Sequence, residues 1–166
     1  MTVVIDANAL VALMAGEQAG PAVTACIEGW VAEEREIHAP ALARYEIANV
    51  LARQMATGRL SREDVTSGWQ ALEELSITYH ALLDGPAVID TAAKLQRHSA
   101  FDAAYVALAV SLDAELWTLD GPLARNAAGQ KLPVRLIDSH PGNTEETTAP
   151  DVPANEPSDR GRPQPT

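Results

Sequence analysis

Short apolar runs that alternate with helical patterns constrain this chain more than any other feature. Strand-like runs stand at residues 2–5, around 36–38, at 77–79, at 115–119 and at 134–137. Between them the spacing predicts a short helix over 7–15 and a second that opens at Gly20-Pro21 and runs to about residue 34. A third helix is expected with Pro40 in its first turn, continuing through Met55 and stopping at Thr57-Gly58. Further helices are predicted from Ser61, from Asp84, from Ser99 and from Asp120-Gly121-Pro122. Strands separated by helices pair through crossovers, which gives a mostly parallel sheet covered on both faces. The expected architecture is therefore α/β: a three-layer α/β/α sandwich around one sheet of about five strands.

Composition narrows the setting. A chain of 166 residues with 46% apolar content suits one domain with a sizeable core. Aromatics are only 4%, with a single Phe, so the core must be built mainly of Ala, Leu, Val and Ile. The lone Cys26 excludes an intramolecular disulfide, fits a reducing cytosol and reads as a buried, inert thiol. No apolar run is long enough to span a bilayer, and the N-terminus lacks a signal-peptide pattern, so a cytoplasmic protein is expected. From Ser139 onward prolines are spread among Thr, Glu, Asn and Asp with almost no large apolar residue. That segment cannot offset its ordering entropy, so a folded domain over 1–138 and a disordered, Pro-rich acidic tail over 139–166 are expected.

The formal net charge of −11 argues against holding nucleic acid by charge alone. The tail has five acids and two arginines, so most of the acidity belongs to the domain. Any nucleic-acid chemistry would need metal ions and a local Arg patch. Ten of the twelve basic residues are Arg, which suits phosphate contacts.

Four carboxylates fall where element ends would bring them together. Asp6 and Asp120 each close an apolar strand-like run, and ligands bind outside the carboxyl ends of strands in open α/β sheets. Glu46 lies on a partly apolar helical stripe with Leu42, Ala43 and Val50, where an unpaired charge would be costly. Asp102 opens the nearly all-apolar stretch 103–110. Each acid also has a structural alternative. Asp6 and Asp120 would serve as helix N-caps, Ser99 and Asp102 resemble a capping box, and Glu46 could pair with Arg53 or reach solvent. Together they read as a hard-metal site, because a divalent cation relieves the repulsion among clustered carboxylates. Asn8 adds a polar group beside Asp6, and Thr118 could donate to a neighbouring carboxylate.

Other chemistries lack their signatures. There is no phosphate-binding P-loop, no dinucleotide fingerprint and no nucleophile elbow. Receiver domains need an acidic pair after the first strand, and the Asp-x-Asp of haloacid dehalogenase-type phosphatases is absent because position 8 is Asn. His38, His80, His98 and His140 show no ligand spacing.

Four segments together resemble PIN-domain ribonucleases. Val3-Val4-Ile5-Asp6-Ala7-Asn8 resembles the family's opening strand, and Tyr45-Glu46-Ile47-Ala48-Asn49 its Glu-bearing helix. Phe101-Asp102-Ala103-Ala104-Tyr105 is similar to the third motif, and Leu116-Trp117-Thr118-Leu119-Asp120 to the fourth. In order and extent the motifs look most like the toxin of VapBC-type toxin–antitoxin pairs. The resemblance implies a PIN-like fold and an endoribonuclease dependent on Mg²⁺ or Mn²⁺. Asp6 and Asp102 would be the main metal ligands, Glu46 and Asp120 would complete the pocket, and Asn8 and Thr118 would hold carboxylates in place. It further implies an RNA substrate, a homodimer and a VapB-like antitoxin that blocks the pocket. Arg44, Arg53, Arg97 and Arg125 lie near the motifs and are expected to flank RNA. A non-catalytic PIN-like RNA- or protein-binding module is the alternative.

Overall fold

The computed structural model describes residues 1–81, 84–96 and 99–138. The expected tail over 139–166 and Arg97 lie outside the described residues. Five strands, β1 (Thr2–Ile5), β2 (Glu36–Pro40), β3 (Ile77–His80), β4 (Glu115–Thr118) and β5 (Val134–Leu136), form one sheet in the order β3-β2-β1-β4-β5. Every pairing is parallel. Among the described residues seven helices connect them: α1 (Ala7–Met14), α2 (Gly20–Ala32), α3 (Leu42–Ala56), α4 (Arg62–Glu74), α5 (Gly85–Lys94), α6 (Phe101–Ser111) and α7 (Gly121–Gly129).

The order fixes the layers. From β1 the chain steps to β2 and β3 on one side, then crosses back to β4 and β5 on the other. Right-handed crossovers then place α1–α4 on one face and α5–α7 on the opposite face. Packing agrees, because α2 and α3 meet β2 while α6 lies over β1, β2 and β4. The central strand is covered from both sides, and Val3, Val4 and Ile5 are fully buried. Trp30 of α2 meets Trp117 of β4 edge to face, with centroids 5.5 Å apart.

Local signals explain most boundaries. Thr57 ends α3 and Gly58 follows at φ +71°, the left-handed turn that glycine adopts without strain. Ser61 and Asp64 form a reciprocal capping box at α4. Two expectations are corrected. Pro40 closes β2 instead of opening α3; it pairs in register with His80, and Ala41 N–H donates to the His80 carbonyl at 2.7 Å. A fixed φ near −65° suits both a strand end and a first helical turn, so sequence alone does not separate them. Ser99 and Asp102 form no capping box: the N-cap position of α6 is Ala100, and Ser99 Oγ accepts from Phe101 N–H at 3.2 Å.

Leu116 is fully buried in β4, in register with Val4 and Val134. Leu116→Ala should lower the unfolding free energy by about 3 kcal/mol through lost transfer energy and the cavity left behind. The exposed Val110→Ala should cost under about 0.5 kcal/mol. Urea midpoints at constant m-value check both, and equal losses would contradict a core centred on β1 and β4.

Candidate active site

The sheet changes its direction of winding at β1, so the carboxyl ends of β1 and β4 flank a crevice where the connections part to opposite faces. Asp6 follows β1 and Thr118 ends β4. Register sets Ile5 against Trp117, which brings residues 6 and 118 side by side. The fully buried Thr118 hydroxyl donates to Asp6 Oδ2 at 2.6 Å. Thr118 Oγ1 itself accepts from Asn8 Nδ2 at 3.1 Å and from Asp120 N–H at 2.9 Å. Asn8 Oδ1 in turn accepts from Leu119 N–H at 3.1 Å, which pins the end of β4 to the start of α1.

Asp6 occupies the N-cap position of α1, yet its side chain makes no capping bond. Its main-chain carbonyl accepts from Ala9 and Leu10 N–H instead. The carboxylate is thereby left facing the crevice. Glu46 arrives from α3 in one layer and accepts a hydrogen bond from the Tyr105 hydroxyl of α6 in the other. Arg53, expected as a partner of Glu46, is exposed in the last turn of α3, and the hydroxyl that Glu46 accepts from is that of Tyr105. Asp102 sits one turn before Tyr105 on α6, and at i, i+3 spacing the two share a helix face.

Electrostatics join three of the four acids. The Asp6 carboxyl is pushed up to about 6, chiefly because burial disfavours its charge. The Thr118 hydroxyl opposes the rise, the negative charge of Glu46 adds to it, the main-chain N–H of Asn8 opposes it, and the charge of Asp102 adds to it. Glu46 is also raised, first by burial and then by the charge of Asp102, against the stabilising Tyr105 donor. Burial, the Glu46 bond and the charges of Asp6 and Glu46 keep the Tyr105 hydroxyl firmly protonated. Asp120 meets the group differently. Its backbone N–H reaches Thr118, while its Oδ1 accepts from Leu123 N–H at 2.8 Å and caps α7.

The arginines divide. Arg44 is ion-paired with Glu73, and its guanidinium lies 5.4 Å from the Trp69 ring and 5.3 Å from the Tyr79 ring. Arg125 folds back over the start of α7, with its Nη1 3.1 Å from where a Cβ on Gly121 would sit. That brings its guanidinium to Gly121, the residue after Asp120. His38 and His80 are hydrogen-bonded to each other, Nδ1 to Nε2 at 2.7 Å, a structural pairing concealed by a separation of 42 in sequence. Cys26 is half-buried rather than buried, and burial pushes its thiol up.

Tyr105 is the residue whose bond to Glu46 the sequence did not give away. Its signal is slight: a lone ring in an Ala-rich helix, three residues after Asp102. Among the described residues no set of three or more His, Cys, Asp and Glu side chains closes around a metal position. The donors in the crevice are all carboxylate oxygens. They suit a hard cation that keeps several waters and takes only one or two direct protein ligands, and not a closed thiolate or imidazole cage.

Comparison with known proteins places this arrangement. The PIN domain profile matches residues 3–129. Ribonuclease VapC3 of Pyrobaculum aerophilum is 34% identical over 131 residues, covering 75% of this chain and 93% of that protein. The chain belongs to the PIN-domain family, among its VapC-type ribonucleases. The crystal structure of PAE2754 from Pyrobaculum aerophilum shares the fold, with a TM-score of 0.55 at 24% identity over 82% of this chain and 92% of that one.

A raised carboxyl destabilises the metal-free fold in a defined pH window. Asp6 ionises near 3.9 when unfolded and about 6 when folded, so its favourable contribution is complete below the first value and lost as pH rises through the second. In EDTA at pH 7.5, Asp6→Asn should be more stable than wild type by on the order of 2 kcal/mol, with the gap closing at pH 4. Denaturation at the two pH values checks this, and parallel curves would show that Asp6 carries no such strain. Tyr105→Phe should move the Glu46 titration still higher, read by carboxyl-carbon NMR.

Proposed function

We propose that this chain is a divalent-metal-dependent endoribonuclease, the toxin of a VapBC-type pair. The observation that carries the reading is the crevice at the switch point of a parallel sheet, where burial and the charges of Glu46 and Asp102 raise the Asp6 carboxyl, and burial and the charge of Asp102 raise Glu46. Family membership and the name of the relative, a VapC ribonuclease, support it. Burial and mutual repulsion make this pocket poor as a set of bare carboxylates and receptive to a cation.

Asp6 and Asp102 would hold Mg²⁺ or Mn²⁺, with Glu46 and Asp120 completing the shell directly or through waters. A bound ion of this kind supplies positive charge against a phosphate and lowers the pKa of a coordinated water. Thr118 fixes the lone pairs of Asp6, and Asn8 fixes Thr118. Tyr105 orients Glu46, which is poised by its raised pKa to take a proton from water attacking the phosphodiester. Arg125 stands where it could meet phosphate beside Asp120. No helix among the described residues is long and apolar enough to cross a membrane, and a cytoplasmic setting fits the RNA substrate. A homodimer and an antitoxin that offers an Arg to the acidic crevice complete the proposal.

Purified, antitoxin-free protein should cut cellular RNA into discrete fragments with Mg²⁺ or Mn²⁺ and not with EDTA. Asp6→Asn and Asp102→Asn should each lower the rate by at least about a hundredfold. Mn²⁺ should raise the melting temperature of wild type and leave that of Asp6→Asn nearly unchanged. Metal-independent cleavage, or full activity in Asp6→Asn, would sink the assignment.

A further inference from the structure

The chain has three Trp, three Tyr and one Phe, and five of these rings are used inside the fold. Trp30 and Trp117 meet edge to face, Trp69 and Tyr79 flank the Arg44 guanidinium, and Tyr105 is buried against Glu46. The two that remain, Tyr45 and Phe101, are 78% and 58% exposed. Their positions are not scattered. Tyr45 immediately precedes Glu46 on α3, and Phe101 immediately precedes Asp102 on α6.

The Tyr105–Glu46 bond joins α3 and α6 at this level, so the two rings stand beside the acidic crevice on separate helices. Phe101 is one turn before Tyr105, on the same helix face. It also borders a cavity of about 430 Å³ shared with Leu42, His80 and Leu108, which leaves room beside its ring. Charge offers limited grip beyond Arg125: the chain is at −11, and Arg44 and Arg135 are ion-paired with Glu73 and Glu115.

Resting on the nuclease reading above, we infer that Tyr45 and Phe101 are stacking platforms for the bases that flank the scissile phosphate. Stacking on an aromatic face tolerates any base, because every base has a π-surface. A duplex keeps those surfaces occupied, whereas loops and single strands can splay them out. The rings therefore supply the affinity that an acidic surface withholds, and they select unpaired RNA without reading its sequence.

The test uses the full chain as Tyr45→Leu, Phe101→Leu, Tyr45→Phe and Phe101→Tyr, with oligomeric state followed by light scattering. Cleavage of a fluorescein-labelled single-stranded RNA of mixed sequence is measured with Mn²⁺, beside the same strand annealed to its complement. Binding of that RNA and of an abasic strand of equal length is followed by anisotropy in EDTA. Each Leu variant should raise KM roughly tenfold with kcat within about twofold, and the aromatic-retaining variants should stay near wild type. The duplex should be a poor substrate, and the abasic strand should bind wild type and Leu variants alike.

Unchanged KM in the Leu variants overturns the inference, as does an equal loss on the abasic strand. Leu variants that dissociate a dimer while KM holds also overturn it, and assign the rings to a second copy of the chain. If wild type cleaves no RNA, the nuclease reading fails by itself. Anisotropy then decides stacking alone: base-dependent binding lost in the Leu variants upholds it, and its absence ends it.

Discussion

The hydroxyl of Thr118 on the carboxylate of Asp6 is the contact on which the rest of this site depends. It exists only because β1 and β4 are neighbours in a fixed register, with Ile5 opposite Trp117. A slip of one residue would turn Thr118 to the other face of the sheet and leave Asp6 without its donor. Thr118 Oγ1 also receives Asn8 and the Asp120 amide, so the start of α1 and the approach to α7 are tied to one atom. Sheet register, helix entry and candidate chemistry are thus a single constraint.

That network moderates the cost of burying Asp6 without removing it. The donor lowers the carboxyl's proton affinity, burial raises it further, and the balance stands at about 6. Glu46 is held by the same logic from the opposite layer, because α3 supplies the carboxylate and α6 the tyrosine. Neither layer could build the crevice alone. An acidic protein with an under-satisfied acidic pocket is suited to a cation first and to phosphate only afterwards, which makes contacts that need no charge, such as ring faces, more valuable.

Much of this was legible in the sequence, and the failures share a cause. The strands, their alternation with helices and the capping of α4, α5 and α7 follow from local patterns that stay local when folded. Thr118 as a donor to a carboxylate was readable because it sits two residues before Asp120 at a strand end. Tyr105 as the partner of Glu46 was not, since 59 positions separate them and Arg53 offered a nearer choice. His38 with His80 was hidden for the same reason. Pro40 and Ser99 misled differently, because each suits two adjacent roles and only the tertiary pairing of β2 with β3, or the one-residue placement of the α6 cap, selects between them.

Aspartates at helix starts are the hardest residues to read, and here the same residue type takes opposite roles. Asp64, Asp84 and Asp120 spend a side-chain oxygen on main-chain amides, and the amide and hydroxyl of Ser61 hold Asp64 below the usual carboxylate range. Asp6 stands at the N-cap of α1 without a capping bond, and Asp102 lies inside the first turn of α6 whose cap position is Ala100. An amide partner occupies one oxygen of such an aspartate, so a capping residue such as Asp120 has only its remaining lone pairs to offer a cation, directly or through waters. The buried Asp6 carboxylate keeps an electrostatic cost that its donors reduce without removing, and an added positive charge or a proton relieves it. The local difference is one amide: Ala9 N–H bonds the Asp6 carbonyl, whereas its counterparts Ala87 and Leu123 bond the side chains of Asp84 and Asp120, so the Asp6 carboxylate is left to Thr118 and the crevice.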